Sequence, residues 1–375
     1  MSTFSLLTLL AVVAAPAPDA DSTKGPAIEE AAAPVAAAPG APEKQSTREA
    51  IDRSLVFLTT EGVQWMDQKK CATCHHLPML IWTLSDAKRV GFAIDDGALN
   101  RAIEHSLADD NRAKVLPNFG DKHLEPTDFQ LAVAHLALAA QSADVKKPEH
   151  LSRVRSLVDH LVATQGPDGS WKAAVKRPPI LDAPEPITLL VSLALARAEA
   201  SQPPQMAETP NGSPVVNVAK SLQRADKWLT EQSIPDTNQG VNFQSTPLRL
   251  LLRAEQKSAA GEPHKRTEEI ARLIDELLAR QNADGGFSQT KELPSDAFAT
   301  GQTLYALRSA GCRDAAAMDR ACGFLLQTQK PDGSWAMKPR PFENAPSREG
   351  PENVGPISYA ATGWATLALL RKFMP

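Results

Sequence analysis

The chain has 375 residues, with 40 Lys and Arg against 44 Asp and Glu for a formal net charge of −4, and only 5% of its residues are aromatic. Its basic residues are scattered, which leaves no electrostatic footprint for nucleic acid. Past residue 15 no apolar run approaches the length needed to cross a bilayer.

The N-terminal stretch MSTFSLLTLLAVVAAPA carries an apolar run from Phe4 to Ala15 followed by small residues. It reads as a signal peptide over residues 1–17, although no Lys or Arg precedes Lys24, and an apolar tail is the alternative. Export to the periplasm or the extracellular space is the expectation. Residues 18–45 form an Ala/Pro-rich linker. From Pro16 to Lys44, Ala and Pro supply 16 of 29 residues, too little apolar surface to offset the entropy of ordering. Residues 46–375 continue without another break in composition and are long enough for one large core.

Within that domain the hydrophobic periodicity predicts helices near 46–63, 76–90, 97–110, 127–142, 149–164, 186–200, 215–232, 243–258, 265–281, 295–310, 314–328 and 357–373. The first member of each successive pair carries charge on one face. The second members include nearly featureless apolar runs such as ITLLVSLALARA and YAATGWATLALL. One-sided helices belong outside and all-apolar ones inside. Six outer and six inner helices describe an all-α double ring closed on itself, an (α/α)6 toroid, with an open solenoid of the same pairs as the alternative.

Three turns repeat a sequence: QGPDGSW at Gln165–Trp171, QNADGGF at Gln281–Phe287 and QKPDGSW at Gln329–Trp335. The Asp-Gly step makes the turn and the aromatic ring is expected to close over the packed helices. These copies, the helix pairing and the ending GPISYAATGWATLAL resemble the terpenoid cyclase and protein prenyltransferase superfamily, from about residue 46 onward and most specifically from Gln165. The resemblance implies a squalene cyclase/prenyltransferase-like toroid. It also implies chemistry for which the matching residues are missing. The cyclase acid motif Asp-x-Asp-Asp fails at Asp95–Asp96, preceded by Ala93, and at Asp109–Asp110, preceded by Leu107; these pairs read as turn or cap residues. The prenyltransferase zinc pattern Asp-x-Cys fails before all four cysteines, at Lys69, Ala72, Ala310 and Arg320. A glycan-cleaving toroid would need paired carboxylates in the funnel, for which Asp182 and Glu185 are the candidates.

One motif falls outside that resemblance. In KKCATCHHLPM, Cys71, Cys74 and His75 form Cys-x-x-Cys-His, the pattern that attaches haem c through two thioethers with the histidine on iron. A zinc or other metal site and a local disulfide are the competing readings. His76 reads as a polar helix-start residue and Met79 as core. A sixth iron ligand would come from neighbouring turns, from His123 or Met337, and Lys172, Arg177, Lys338 and Arg340 are candidate propionate partners. Cys312 and Cys322 read as separate buried thiols, and His135, in LAVAHLALAA, as a core histidine. The expected function is an exported toroid without cyclase activity, carrying haem for electron transfer or redox sensing. The alternatives are a toroid enzyme acting on a terpenoid or glycan, and a binding scaffold with a structural Cys-x-x-Cys. The partner is a redox protein or a hydrophobic small molecule.

Overall fold

The computed structural model describes residues 46–69, 76–107, 130–143, 145–172, 183–200, 217–231, 244–259, 263–337 and 351–374. Among them are twelve helices: α1 (Thr47–Lys69), α2 (His76–Arg89), α3 (Asp96–Leu107), α4 (Gln130–Ser142), α5 (Pro148–Ala163), α6 (Pro184–Ala200), α7 (Val218–Glu231), α8 (Ser245–Ala259), α9 (Pro263–Ala279), α10 (Ala297–Ser309), α11 (Ala315–Thr328) and α12 (Pro351–Leu370). Several starts are set by side-chain caps. Ser46 and Glu49 form a reciprocal capping box on α1, and Asp95, Asn217, Asp296 and Asp314 accept the third amide beyond them in α3, α7, α10 and α11.

The even-numbered helices are the inner layer. In α2 every residue from His76 to Ala87 is buried, and in α6 every residue from Pro186 to Ala196. An outer helix such as α3 buries only one stripe, Ala98, Leu99, Ala102, Ser106 and Leu107. The inner helices touch in the circuit α2, α4, α6, α8, α10, α12 and back to α2, so the ring is closed and the open solenoid is excluded. The packing is tightest where small residues face backbone. A Cβ on Gly301 of α10 would lie 2.6 Å from the Ala365 nitrogen of α12.

The repeated turns hold the two layers together in one way. The indole nitrogen of Trp171 donates to the Leu161 carbonyl at 2.8 Å and its backbone amide to Thr188 Oγ1 at 3.0 Å, clamping outer α5 to inner α6. Trp335 does the same with Leu325 and Thr362. The motif glutamine reaches sideways to the next outer helix: Gln165 to the Ser221 carbonyl, Gln281 to that of Ala317, and Gln329 to that of Ala50. The motif glycine lies against the same helix. Gly169, Gly285 and Gly333 all have positive φ, and a Cβ on them would come within 2.3–2.6 Å of the carbonyl oxygens of Arg224, Arg320 and Arg53. These receiving helices share a pattern that the sequence analysis passed over, SLQR at 221–224, AMDR at 317–320 and AIDR at 50–53.

Two boundaries differ from expectation. α1 runs on to Lys69, because Gln64–Lys69 are helix formers and Met66 is buried. α12 starts at Pro351, earlier than 357, with Pro356 inside it.

Candidate functional site

Outer helices lead into inner ones at one face of the ring, the mouth. The ring closes where the helices of the first pair meet those of the last. There Tyr359 of α12 donates its hydroxyl to the Leu58 carbonyl of α1 at 2.9 Å, and lower in the seam Thr366 donates to Ser54 Oγ at 2.9 Å. Gly62 makes room for the phenol, since a Cβ there would stand 2.6 Å from the Tyr359 oxygen and 2.9 Å from Leu80.

His76, the first residue of α2, is the centre of this seam. Its ring is 4.0 Å from that of Trp65 with planes 5° apart, and 4.1 Å from that of Tyr359 at 30°. Two rings stacked that closely cannot share one face of an imidazole, so His76 is sandwiched between α1 and α12, and it is buried. The sequence reading of His76 as a helix-start residue holds for its position but missed the sandwich, whose partners lie 11 residues before and 283 after it. Lys69, the last residue of α1, places its ammonium 5.8 Å from the Trp65 ring. Cys71, Cys74 and His75 lie between Lys69 and His76, outside the described residues, as does His123. Met337 is buried in the core, with its amide bonded to Ser358 Oγ at 3.0 Å, and Met79 is core as expected. Lys172 is exposed and paired with Asp168, while Arg177, Lys338, Arg340 and Asp182 lie outside the described residues. Glu185 pairs with Arg249 at 2.8 Å.

The other end of the ring is closed by a buried polar and aromatic plug. Trp82, Tyr305 and Trp364 meet edge to face with centroids 5.6–5.9 Å apart. The Arg197 guanidinium lies 5.1 Å from the Trp82 centroid and bonds Glu255 at 2.7 Å. Asp86, also buried, accepts from Arg89 at 2.8 Å, and Arg89 reaches on to the Ser142 carbonyl. Burial pushes the Asp86 carboxyl up from its ordinary value, and Arg89, Arg197 and Arg371 only partly oppose it. The aromatic rings of the inner layer therefore pack on one another and on an arginine. The sequence analysis did not find this cluster, which draws one or two residues from each of several helices. Its only sequence signal is charge, at Asp86 and Arg197, inside otherwise apolar helices.

The remaining candidates fall into structural roles. Asp95 caps α3 and exposed Asp96 pairs with Lys88, as expected of turn residues. His135 is buried, and desolvation lowers its pKa to about 4, so it is neutral at pH 7. Cys322 is buried, its sulfur accepting from Arg308 at 2.9 Å, whereas Cys312 is partly exposed and so departs from the expected pair of buried thiols; both are free. Among the described residues no three His, Cys, Asp or Glu side chains converge on a metal-sized site, and no helix is long and apolar enough to cross a membrane.

Six helix pairs closed into a ring define an all-α (α/α)6 toroid. No protein-family model matches the chain. Over 196 residues, 51% of this chain and 33% of the relative, it is 25% identical to drimenyl diphosphate synthase of Streptomyces showdoensis, and thus spans about a third of that protein's length. Its fold is similar to that of the type II terpene cyclase MstE from Scytonema, at 14% identity and TM-score 0.52 over 86% of this chain and 97% of that one. It is also similar to a possible GH105 family member from Salmonella enterica, at 12% identity and TM-score 0.56 over 91% of this chain and 97% of that one. These likenesses establish the toroid fold.

Proposed function

We propose that this toroid takes a small hydrophobic, isoprenoid-like molecule at its mouth, without cyclising it by protonation. The carrying observation is the sequence likeness to a drimenyl diphosphate synthase. A structure of MstE with geranylgeranyl dihydroxybenzoate bound has the same fold, at TM-score 0.53. The chain has no Asp-x-Asp-Asp to act as the starting acid. Its plug further engages Trp82, Tyr305 and Trp364 with one another and Arg197, where a cyclase needs rings facing a carbocation. Titration of the intrinsic tryptophan fluorescence with farnesene and with a maltooligosaccharide tests this reading. Saturable binding of farnesene supports it. Binding of the oligosaccharide alone overturns it in favour of a glycan-acting toroid.

A second reading concerns the same mouth and is favoured by the donor set between α1 and α2. We propose that Cys71 and Cys74 attach haem c and that His75 is its axial ligand, with His123 or Met337 as the sixth. Two thiols and an imidazole in this order suit the group, and the sandwich commits His76 to packing, which leaves His75 as the ligand of the histidine pair. When bound, such a group supplies one-electron transfer. The chain's own residues anchor the turn: Lys69 ends α1, and His76 fixes the exit of the turn between Trp65 and Tyr359. Covalent attachment takes place outside the cytoplasm, in keeping with export directed by residues 1–17. The test is the visible spectrum after co-expression with cytochrome c maturation factors, for the wild type and for His123→Ala and Met337→Leu. Absence of covalent haem, with zinc found by metal analysis or a Cys71–Cys74 disulfide by mass spectrometry, overturns it.

A further inference from the structure

Beside the turn of the fifth repeat, at the N-terminal ends of α8 and α10, a mouth-side pocket of about 20 Å³ is lined by Pro247, Leu277, Phe287, Phe298, Gln289 and Gln302. The wall it exposes is mostly apolar, yet the amides of Gln244, Gln289 and Gln302 line it. Gln302 is 1% exposed and Gln289 7%. Gln302 Nε2 and Gln289 Oε1 are buried and find no hydrogen-bond partner among the described residues. Each such atom costs about 1–3 kcal/mol if it stays unpaired, so a group that bonds both is favoured in this pocket.

The chemistry of that occupant follows from the pocket. Gln289 spends its Nε2 on Asp296 Oδ2 at 2.7 Å, which fixes the amide and leaves its oxygen as a buried acceptor. Gln302 presents a donor. A group that gives one hydrogen bond and takes one is a hydroxyl, and it satisfies either amide in either orientation. The nearby cation is already neutralised: Arg280 bonds Glu276 at 2.5 Å and Thr246 at 3.1 Å, so the pocket has no call for an anion. The enclosed volume fits a single hydroxyl-sized group. Phe287, Phe298, Leu277 and Pro247 supply an apolar wall beside the polar Gln244, Arg280, Ser288 and Thr303, and the volume is too small for the many hydroxyls of a sugar.

We propose that this pocket is a recognition site for the hydroxyl end of an apolar alcohol, the polar head of a ligand whose hydrocarbon lies along the mouth. The proposal rests on the isoprenoid reading of the toroid and adds to it the functional group that is read. It is independent of the cysteine turn.

Affinities of farnesol, farnesene and myo-inositol are measured by fluorescence titration for the wild type and for Gln302→Leu. Far-ultraviolet circular dichroism establishes that the variant is folded, and Gln302→Met replaces it if it is not. One charge-free hydrogen-bonding group is worth about tenfold in affinity. The wild type is therefore expected to bind farnesol about tenfold tighter than farnesene, and the variant to lose part of that preference, the bond to Gln289 remaining. Equal affinities in the wild type, or displacement of farnesol by myo-inositol, overturn the hydroxyl site while leaving the hydrophobic-ligand reading standing. Failure of both farnesol and farnesene to bind overturns both.

Discussion

Gln329, just beyond α11, donates to the Ala50 carbonyl of α1 at 2.8 Å across 279 residues of sequence, and Arg53 of α1 donates back to Gln329 Oε1 at 2.9 Å. The last repeat therefore grips the first with the bond that Gln165 and Gln281 use between consecutive repeats. Gln329→Ala removes these bonds together with the one to the Gly333 carbonyl. A loss of about 1–3 kcal/mol in urea unfolding is expected. Gln165→Ala should cost a similar amount, because the lock is the same; a Gln329 variant as stable as the wild type would mean that the ring is held by helix packing alone.

Gly333→Ala should be the costliest of the three motif-glycine substitutions, since its approach to the neighbouring helix is closer than those of Gly169 and Gly285. The residue has φ +87°, and its new methyl would sit 2.3 Å from the Arg53 carbonyl oxygen, a backbone atom that cannot swing aside. A cost above about 2 kcal/mol is expected from strain and displacement of α1 together. A change under about 0.5 kcal/mol would show that this approach is not as close in solution.

Trp171→Ala and Trp335→Ala should each cost about 3–5 kcal/mol, since both rings are buried and each bridges an outer to an inner helix. Phe in place of either keeps the ring and gives up the bond to Leu161 or Leu325, for about 1 kcal/mol. Denaturant midpoints decide between these numbers and losses under 1 kcal/mol, which would reduce the motif aromatics to surface residues.

What could be read from the sequence was whatever repeats or has a period. The helices declare themselves through the switch between one-sided and all-round apolar patterns, and the turns through Asp-Gly followed by an aromatic residue. The start of α12 was not legible in this way: Pro351 opens the helix ahead of the apolar periodicity that begins near 357. The (Ala/Ser)-x-x-Arg stretches of the receiving helices were overlooked since such residues are common on any outer helix; only their position one repeat after each QxxDG turn gives them meaning. The plug of Asp86, Arg197 and Tyr305 and the sandwich around His76 arise from helices far apart in sequence, and no spacing along the chain encodes them.

His135 gives the acid limb of stability. Its folded pKa of about 4 lies below the ordinary 6.5, so the unfolded chain binds the proton more readily between those values. The stabilisation is complete above pH 6.5 and is lost as pH falls toward 4, by about 3 kcal/mol at an ordinary 1.36 kcal/mol per pKa unit. His135→Leu should flatten that limb in urea titrations run from pH 7.5 to 4. An unchanged limb would place its origin elsewhere.

Asp86 acts with the opposite sign. Its carboxyl is raised above its unfolded value by burial, so the folded protein holds the proton more tightly and stability declines as pH rises through the elevated pKa. Asp86→Asn preserves an acceptor for Arg89 and should remove this decline, leaving a flatter profile on the neutral side. Strong destabilisation at pH 7 with the slope intact would show that the ion pair outweighs burial.

Because the ring is closed by its last outer and inner helices, the order of synthesis matters. On the ribosome α1 and α2 emerge first, and the sides that they turn to α11 and α12 stay uncovered until those helices are made. The entropy of that final closure spans nearly the whole domain. A nascent or truncated chain that stops short of α11 leaves those sides open to chaperones and proteases, and it is the completed ring that hides them.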